Sequence, residues 1–344
     1  MGIRIKCTVA DSQTQLKTAV VIPCYKVGDQ LEAVVAAIPQ NITRIYCVND
    51  CCPENSTAEI ERQAMTDKRL QVLHRKVNGG VGAAMVTGYE QALLEGIDIV
   101  VKVDGDGQMD TAMIPLFISE IAEGRADYVK GNRFYSFGTS KAMPLGRKIG
   151  NMGLSFMTKL STGYWQLFDP TNGYTAIHSN ILKVLSLQEV ETRYFFESDM
   201  LFHLGLLRAR VVEVPMQATY GDEESNLSEF HALRNFPIKH GRNLFKRIIY
   251  DYFLRNFSIA SLELLVGIIF VVFGLYFGIS AWATTSQTGQ AATAGTVMLA
   301  ALPFIVGVQL ILNFMSFDMA REPTQIVHNR LRFYKRKMEK DSIS

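Results

Sequence analysis

The sequence predicts an α/β domain built on a mostly parallel sheet, followed by juxtamembrane amphipathic helices and two transmembrane helices. Three observations predict it. Short apolar runs alternate with helical spacing through the first hundred residues, turn-type motifs close those runs, and two long uncharged apolar stretches lie near the C-terminus. Hydrophobic residues make up 48% of the 344, enough for a sizeable core, and the formal net charge of +2 argues against a nucleic-acid partner.

The strands come first. Residues 19–23 (Ala-Val-Val-Ile-Pro), 44–48 (Arg-Ile-Tyr-Cys-Val), 70–74 (Leu-Gln-Val-Leu-His) and 98–103 (Asp-Ile-Val-Val-Lys-Val) read as buried strands. Helical spacing over 30–38, and from the 78–82 loop to about Leu94, supplies crossovers. Ligands of such sheets bind beyond the carboxyl ends of the strands. Asn49-Asp50, the Asn78 loop and Asp104-Gly105-Asp106 all fall at those ends and are expected to converge on one crevice.

The residue types there suit phosphate and metal chemistry. Asp104 and Asp106 flank a glycine on a tight turn, an arrangement that holds one hard cation, Mg2+ or Mn2+, against a diphosphate. Asn78-Gly79-Gly80-Val81-Gly82 leads into a helix. It is either an anion cradle at the helix N-terminus or a plain strand–helix turn. It matches neither the dinucleotide fingerprint nor an ATP-binding phosphate loop. Asp50 either accepts hydrogen bonds from a nucleobase or ribose, or caps the next helix in competition with Asn55 and Ser56.

The two apolar stretches, about residues 259–280 and 294–316, are each roughly 22 residues, or about 33 Å of helix, the thickness of a bilayer core. The link 281–293 carries no charged residue, whereas Lys239, Arg242, Lys246, Arg247 and Arg255 precede the first stretch and Arg321, Arg330, Arg332, Lys335, Arg336 and Lys337 follow the second. That asymmetry predicts a multi-pass protein of the inner (plasma) membrane with its α/β domain and both termini cytoplasmic. The polar start of the chain, without a secretory signal, agrees. Cations and aromatics interleave over 233–257, as in a helix lying on the inner leaflet, and the 325–340 tail either does the same or stays solvated. Glu263, within the first stretch, reads as an interfacial residue or as a contact to a subunit or lipid headgroup; the hairpin permits a homo-oligomer. The five cysteines, Cys7, Cys24, Cys47, Cys51 and Cys52, show no metal-knuckle spacing and read as reduced thiols. The expected divisions are an extension (1–17), the α/β domain (18–230), juxtamembrane helices (231–257), the hairpin (258–317) and a basic tail (318–344).

Taken in order, the motifs resemble inverting glycosyltransferase family 2 with its GT-A fold, and within it the polyisoprenyl-phosphate glycosyltransferases of the dolichol-phosphate-mannose-synthase type. The matching residues are Val20-Val-Ile-Pro-Cys-Tyr25, Val48-Asn-Asp-Cys-Cys-Pro-Glu-Asn-Ser-Thr57, Asn78-Gly-Gly-Val-Gly-Ala83, Asp104-Gly-Asp-Gly-Gln108, Gly131-Asn-Arg-Phe134 and Asp169-Pro-Thr-Asn-Gly-Tyr174. The resemblance spans about residues 18–230. It implies transfer of one sugar from a UDP- or GDP-sugar to a polyprenyl phosphate, undecaprenyl or dolichyl. The implied donor site is Pro23, Tyr25, Asp50, Asn78, Gly80, Asp104 and Gln108; the metal pair is Asp104 and Asp106; the acceptor-phosphate clamp is Arg133, Arg147 and Lys148. Arg147 and Lys148 alternatively face the anionic leaflet. Asp169 and Glu197, with Asp199 beside it, are the acidic residues near the acceptor, serving as a base or positioning the donor. Asn49 and the Cys51-Cys52 pair depart from the family's usual aspartate and Gly/Asn-Ser, which leaves the nucleobase open, and Tyr220-Gly-Asp-Glu-Glu-Ser-Asn226 places acids where the family often has a lysine. Polysaccharide-elongating relatives carry Gln-x-x-Arg-Trp; Trp165 and Trp282 sit in no such motif. The remaining alternatives are transfer to a hydroxyl of a lipid-linked saccharide, and a non-catalytic nucleotide-binding scaffold.

Overall fold

A computed structural model describes residues 16–28, 30–54, 57–135, 145–217 and 229–331, with side chains at 145–149, 151 and 229–234 outside the description. Seven strands form one sheet: β1 (Thr18–Cys24), β2 (Arg44–Asn49), β3 (Leu70–His74), β4 (Ile99–Lys102), β5 (Tyr128–Asn132), β6 (Thr175–His178) and β7 (Val211–Pro215). Their order is β3-β2-β1-β4-β6-β5-β7. The helices are α1 (Gln30–Ala37), α2 (Ala58–Gln63), α3 (Val81–Leu94), α4 (Ile114–Ala122), α5 (Leu145–Thr162), α6 (Ser179–Leu182), α7 (Phe196–Leu207), α8 (Glu229–Ile248), α9 (Ile259–Thr288) and α10 (Ala294–Ala320).

The four sequence-predicted strands are β1 to β4, parallel to one another. The sheet is more mixed than the alternating pattern implied, because β6 runs antiparallel to both β4 and β5. That reversal puts the amino end of β6 beside the carboxyl ends of β4 and β5. Alternate residues of each strand enter opposite cores. Val21, Tyr46, Val100, Tyr128 and Ile177 pack toward α3 and α7, and Val20, Ile22, Ile45, Val101 and Val129 toward α1 and α4. Strands buried on both faces explain the continuous apolar runs.

The two C-terminal helices are long and apolar enough to cross a membrane, and both exceed the stretches marked in the sequence. α9 continues to Thr288, with Thr284, Thr285 and Thr288 turning their hydroxyls to carbonyls four residues earlier in place of water, and left-handed Gly289 (φ 69°) ends it. The link is thus far shorter than 281–293. The helices close on glycine: a Cβ at Gly307 would lie 2.8 Å from the Gly267 carbonyl oxygen. Asn313 donates to Glu263 at 2.5 Å, so Glu263 finds its partner within the hairpin.

At the root of the hairpin nearest the α/β domain, Asp318 accepts from Arg247 (2.7 and 2.9 Å), Tyr252 (2.6 Å) and Trp165 (2.9 Å), joining α10, α8, the following π-helical turn (Ile249–Leu254) and the α/β domain. The chain then returns to the domain instead of lying apart as a tail. Buried Asp127 accepts the Val327 and His328 amides and contacts the His328 ring at 2.7 Å, and His328 stacks on His178. The rest of the basic tail, beyond residue 331, lies outside the described residues.

Candidate active site

The motifs meet at one edge. Tyr25, Asp50 and Asp104 follow neighbouring parallel strands, and the amino end of β6 brings Gly173 to the same edge. Pro23 is the penultimate residue of β1, and Tyr25 just beyond it is exposed. A cavity of about 320 Å3 touching Lys17, Arg44, Lys68 and Glu95 lies at the opposite, amino end, away from every motif. Ligand sites of such sheets form at the carboxyl end, so the motif convergence is the better guide.

On the donor side, Asp50 is almost fully buried. Its carboxylate accepts from Arg75 Nε (2.9 Å), Gly79 N (2.9 Å) and Gly80 N (2.6 Å), and Asn78 Nδ2 donates to its backbone oxygen (3.3 Å). Both carboxylate oxygens are therefore engaged by the chain itself. Asp50 thus holds the Asn78 loop against the end of β2, and the N-cap position of α2 belongs to Thr57, not to Asp50. The Asn78–Gly82 loop is likewise held by the chain itself. Ala83 N in the first turn of α3 donates to the Thr192 carbonyl, and a Cβ at Gly82 would fall 2.5 Å from the Glu191 carbonyl. The anion that this glycine loop cradles is Asp50. Gly80 (φ 90°) needs its left-handed backbone to do so. Asn55 and Ser56 lie outside the described residues.

On the metal side, Asp104 and Asp106 are part-buried, with the Gln108 amide donating to Asp106 at 3.0 Å. Lys102, on the same strand face as Asp104, is 2% exposed and reaches Asp104 at 2.9 Å and Glu197 at 3.3 Å. Burial alone would lower the Lys102 pKa; Asp104 and Glu197 carry it above the usual lysine value, so the ammonium stays charged. Gly173 closes over this pair, since a Cβ there would lie 2.6 Å from Lys102 Nζ and 2.8 Å from Asp104 Oδ2. Among the described residues no three acidic, histidine or cysteine side chains form a ready-made metal cage. Two carboxylate ligands completed by substrate phosphates and water are the donor set that Mg2+ or Mn2+ commonly takes, so Asp104 and Asp106 fit such an ion.

Beyond β5, Arg133 grips Asp169 with two guanidinium nitrogens, Nε at 2.8 Å and Nη2 at 3.0 Å. Asp169 is fully buried, while about a third of the Arg133 side chain is exposed. Glu213 accepts from the Phe168 and Asp169 amides and from Asn132, all at 2.8 Å, and burial raises its pKa. Buried Lys130 donates to the Asn172 carbonyl, and burial pushes its pKa down to about 8. Asp199 faces away from the crevice, accepting from Glu191 N and from Asn243 on α8. The side chains of Arg147 and Lys148, and the Tyr220–Asn226 loop, lie outside the described residues. Sequence reasoning missed Lys102, Lys130, Glu213 and Arg75; for Lys102 the available signal was a lone lysine within an apolar strand.

A family model described as "Glycosyl transferase family 2" matches residues 19–185. An undecaprenyl-phosphate mannosyltransferase of Micrococcus luteus is 28% identical over 206 residues, covering 58% of this chain and 83% of that protein. A UDP-N-acetylglucosamine–dolichyl-phosphate N-acetylglucosaminyltransferase of Methanococcus voltae is 34% identical over 182 residues, covering 53% and 69%. Among solved structures, glucosyl-3-phosphoglycerate synthase of Mycobacterium tuberculosis, in complex with Mn2+, UDP-glucose and phosphoglyceric acid, shares the fold at a TM-score of 0.50 and 16% identity, over 68% of this chain and 80% of that one.

Proposed function

This chain belongs to glycosyltransferase family 2, and from that premise we propose that it transfers a single sugar from a UDP- or GDP-sugar to a polyprenyl phosphate, with inversion at the anomeric carbon. The relatives named for undecaprenyl and dolichyl phosphate support this acceptor class, and the two apolar helices rooted in the domain support a site at a membrane surface. The positive flanks favour a cytoplasmic site and cytoplasmic termini.

One observation carries the choice of acceptor. The carboxylates positioned to act as a base are already paired with cations, Asp169 with Arg133 and Glu197 with Lys102. A sugar hydroxyl needs its proton removed as it attacks, whereas an ionised phosphate attacks without a base. Held ion pairs therefore suit a phosphate acceptor better than a hydroxyl. An acceptor phosphate oxygen forms the new bond to the anomeric carbon on the face opposite the departing nucleoside diphosphate, whose bond to that carbon breaks. Arg133, oriented by Asp169, is the described cation best placed for the acceptor phosphate. Asp104 and Asp106 would hold Mg2+ or Mn2+, which supplies charge neutralisation at the leaving diphosphate.

The test offers the purified protein a panel of UDP- and GDP-sugars with either polyprenyl phosphate or the matching free polyprenol. An acid-labile glycolipid formed only with the phosphate is expected. Comparable transfer to the alcohol would overturn the acceptor assignment.

A further inference from the structure

Lys102 is a buried cation whose contact to Asp104 the transfer just described leaves without a role. We propose that Lys102 is a positioning residue that keeps Asp104 engaged until the donor's diphosphate arrives, so that divalent-ion binding depends on the nucleotide. The inference rests on the reading of Asp104 and Asp106 as the metal-holding pair, and it deepens that reading.

Three observations fix the ammonium in place. It lies between two carboxylates, 2.9 Å from Asp104 and 3.3 Å from Glu197, on a side chain that is 2% exposed. The Gly173 backbone sits so close that a Cβ would meet Lys102 Nζ at 2.6 Å, leaving the side chain no path to solvent on that side. Lys102 also belongs to a built row: it is in register with Thr175, which is in register with Lys130, whose Nζ holds the Asn172 carbonyl of the loop that covers the pair.

A fixed positive charge beside a ligand oxygen repels an incoming divalent ion, and the repulsion is strong where water is excluded. The diphosphate brings negative charge that offsets this repulsion and oxygens that complete the ion's ligand set. The ion alone thus meets a weak site, and the ion with nucleotide meets a strong one. Because binding couplings are reciprocal, the ion must tighten nucleotide binding by the same factor.

The experiment measures Mn2+ binding to the full-length protein by the electron paramagnetic resonance signal of the free ion, with and without UDP or GDP. The better-bound nucleotide is expected to tighten Mn2+ binding at least about tenfold in the wild type. Lys102→Met is expected to tighten Mn2+ binding without nucleotide by about tenfold and to shrink the nucleotide's effect correspondingly. Removing the ammonium leaves two carboxylates facing one another, so Lys102→Met/Glu197→Gln, which relieves that repulsion, is measured beside it and is expected to show the same gain. Wild-type Mn2+ binding that is indifferent to nucleotide, or variants with unchanged affinity for the ion alone, overturns the role of Lys102 while leaving the metal pair standing. No Mn2+ binding with either nucleotide overturns the metal pair itself, and the inference with it.

Discussion

At the carboxyl ends of β4 and β5, Lys102 and Arg133 face Asp104, Glu197 and Asp169; at the root of the apolar hairpin, Arg247 faces Asp318. The two clusters use the same side-chain chemistry in opposite settings. The first is open on one side, with about a third of the Asp104 and Arg133 side chains exposed. The second is closed: Arg247 and Asp318 are 4% and 5% exposed, and Tyr252 and Trp165 add further donors to Asp318. An open ion pair can rearrange around a charged ligand. A closed one, in which four donor atoms converge on the two oxygens of Asp318, holds a single geometry, because removing one partner strands a buried charge. The open cluster is thus suited to chemistry, and the closed one to fixing the domain's height and tilt over the membrane.

The sharpest contrast should come from one substitution in each cluster. Asp104→Ala is expected to lower transfer at least a thousandfold, about 4 kcal/mol of transition-state stabilisation, while the thermal unfolding midpoint stays near wild type. A large fall in that midpoint would show the open cluster to be structural and erase the distinction. Asp318→Ala should do the reverse. It leaves Arg247 buried without its carboxylate, and breaking such a pair costs about 3–5 kcal/mol, read as a large drop in unfolding midpoint in a fixed detergent. Unchanged stability would make the clamp dispensable.

A smaller effect sharpens the closed side. His240 of α8 is buried, with Nδ1 2.8 Å from Ser161 and Nε2 lacking a partner among the described residues. Burial pushes its pKa down from 6.5 to about 4, although Asp199 pulls the other way. Between those values the unfolded chain takes up a proton that the folded chain refuses. Stability present above pH 6.5 should therefore fall as the pH drops toward 4, by up to roughly 3 kcal/mol. Unfolding midpoints across that range should fall less steeply for His240→Gln; parallel curves would place the acid sensitivity elsewhere.

Much of the open cluster was legible in the sequence, and almost none of the closed one. β1 to β4 announce themselves as apolar runs, and Asp50, Asn78, Asp104 and Asp106 stand where those runs end, so local pattern reaches the donor side of the crevice. The reversed strand β6 carries no local mark, because direction is set by neighbours distant in the chain. The Asn78–Gly82 loop donates two amides to the Asp50 carboxylate, 29 and 30 residues away, a pairing that no local pattern announces. Lys102 and Glu197 are 95 residues apart, and Trp165 and Asp318 are 153 apart. Pairs at such separations leave only a one-sided trace, a charged residue in an apolar segment that demands a partner without naming it.

We propose that sugar passes to an ionised phosphate beside ion-paired carboxylates and a metal-holding aspartate pair. The most direct test is nuclear magnetic resonance of the anomeric proton during turnover of an α-linked nucleotide-sugar with polyprenyl phosphate, with and without divalent ion. A β-linked phosphodiester that accumulates only when the ion is present is expected. An α-linked product, a sugar attached to a hydroxyl, or full turnover in chelator would contradict it.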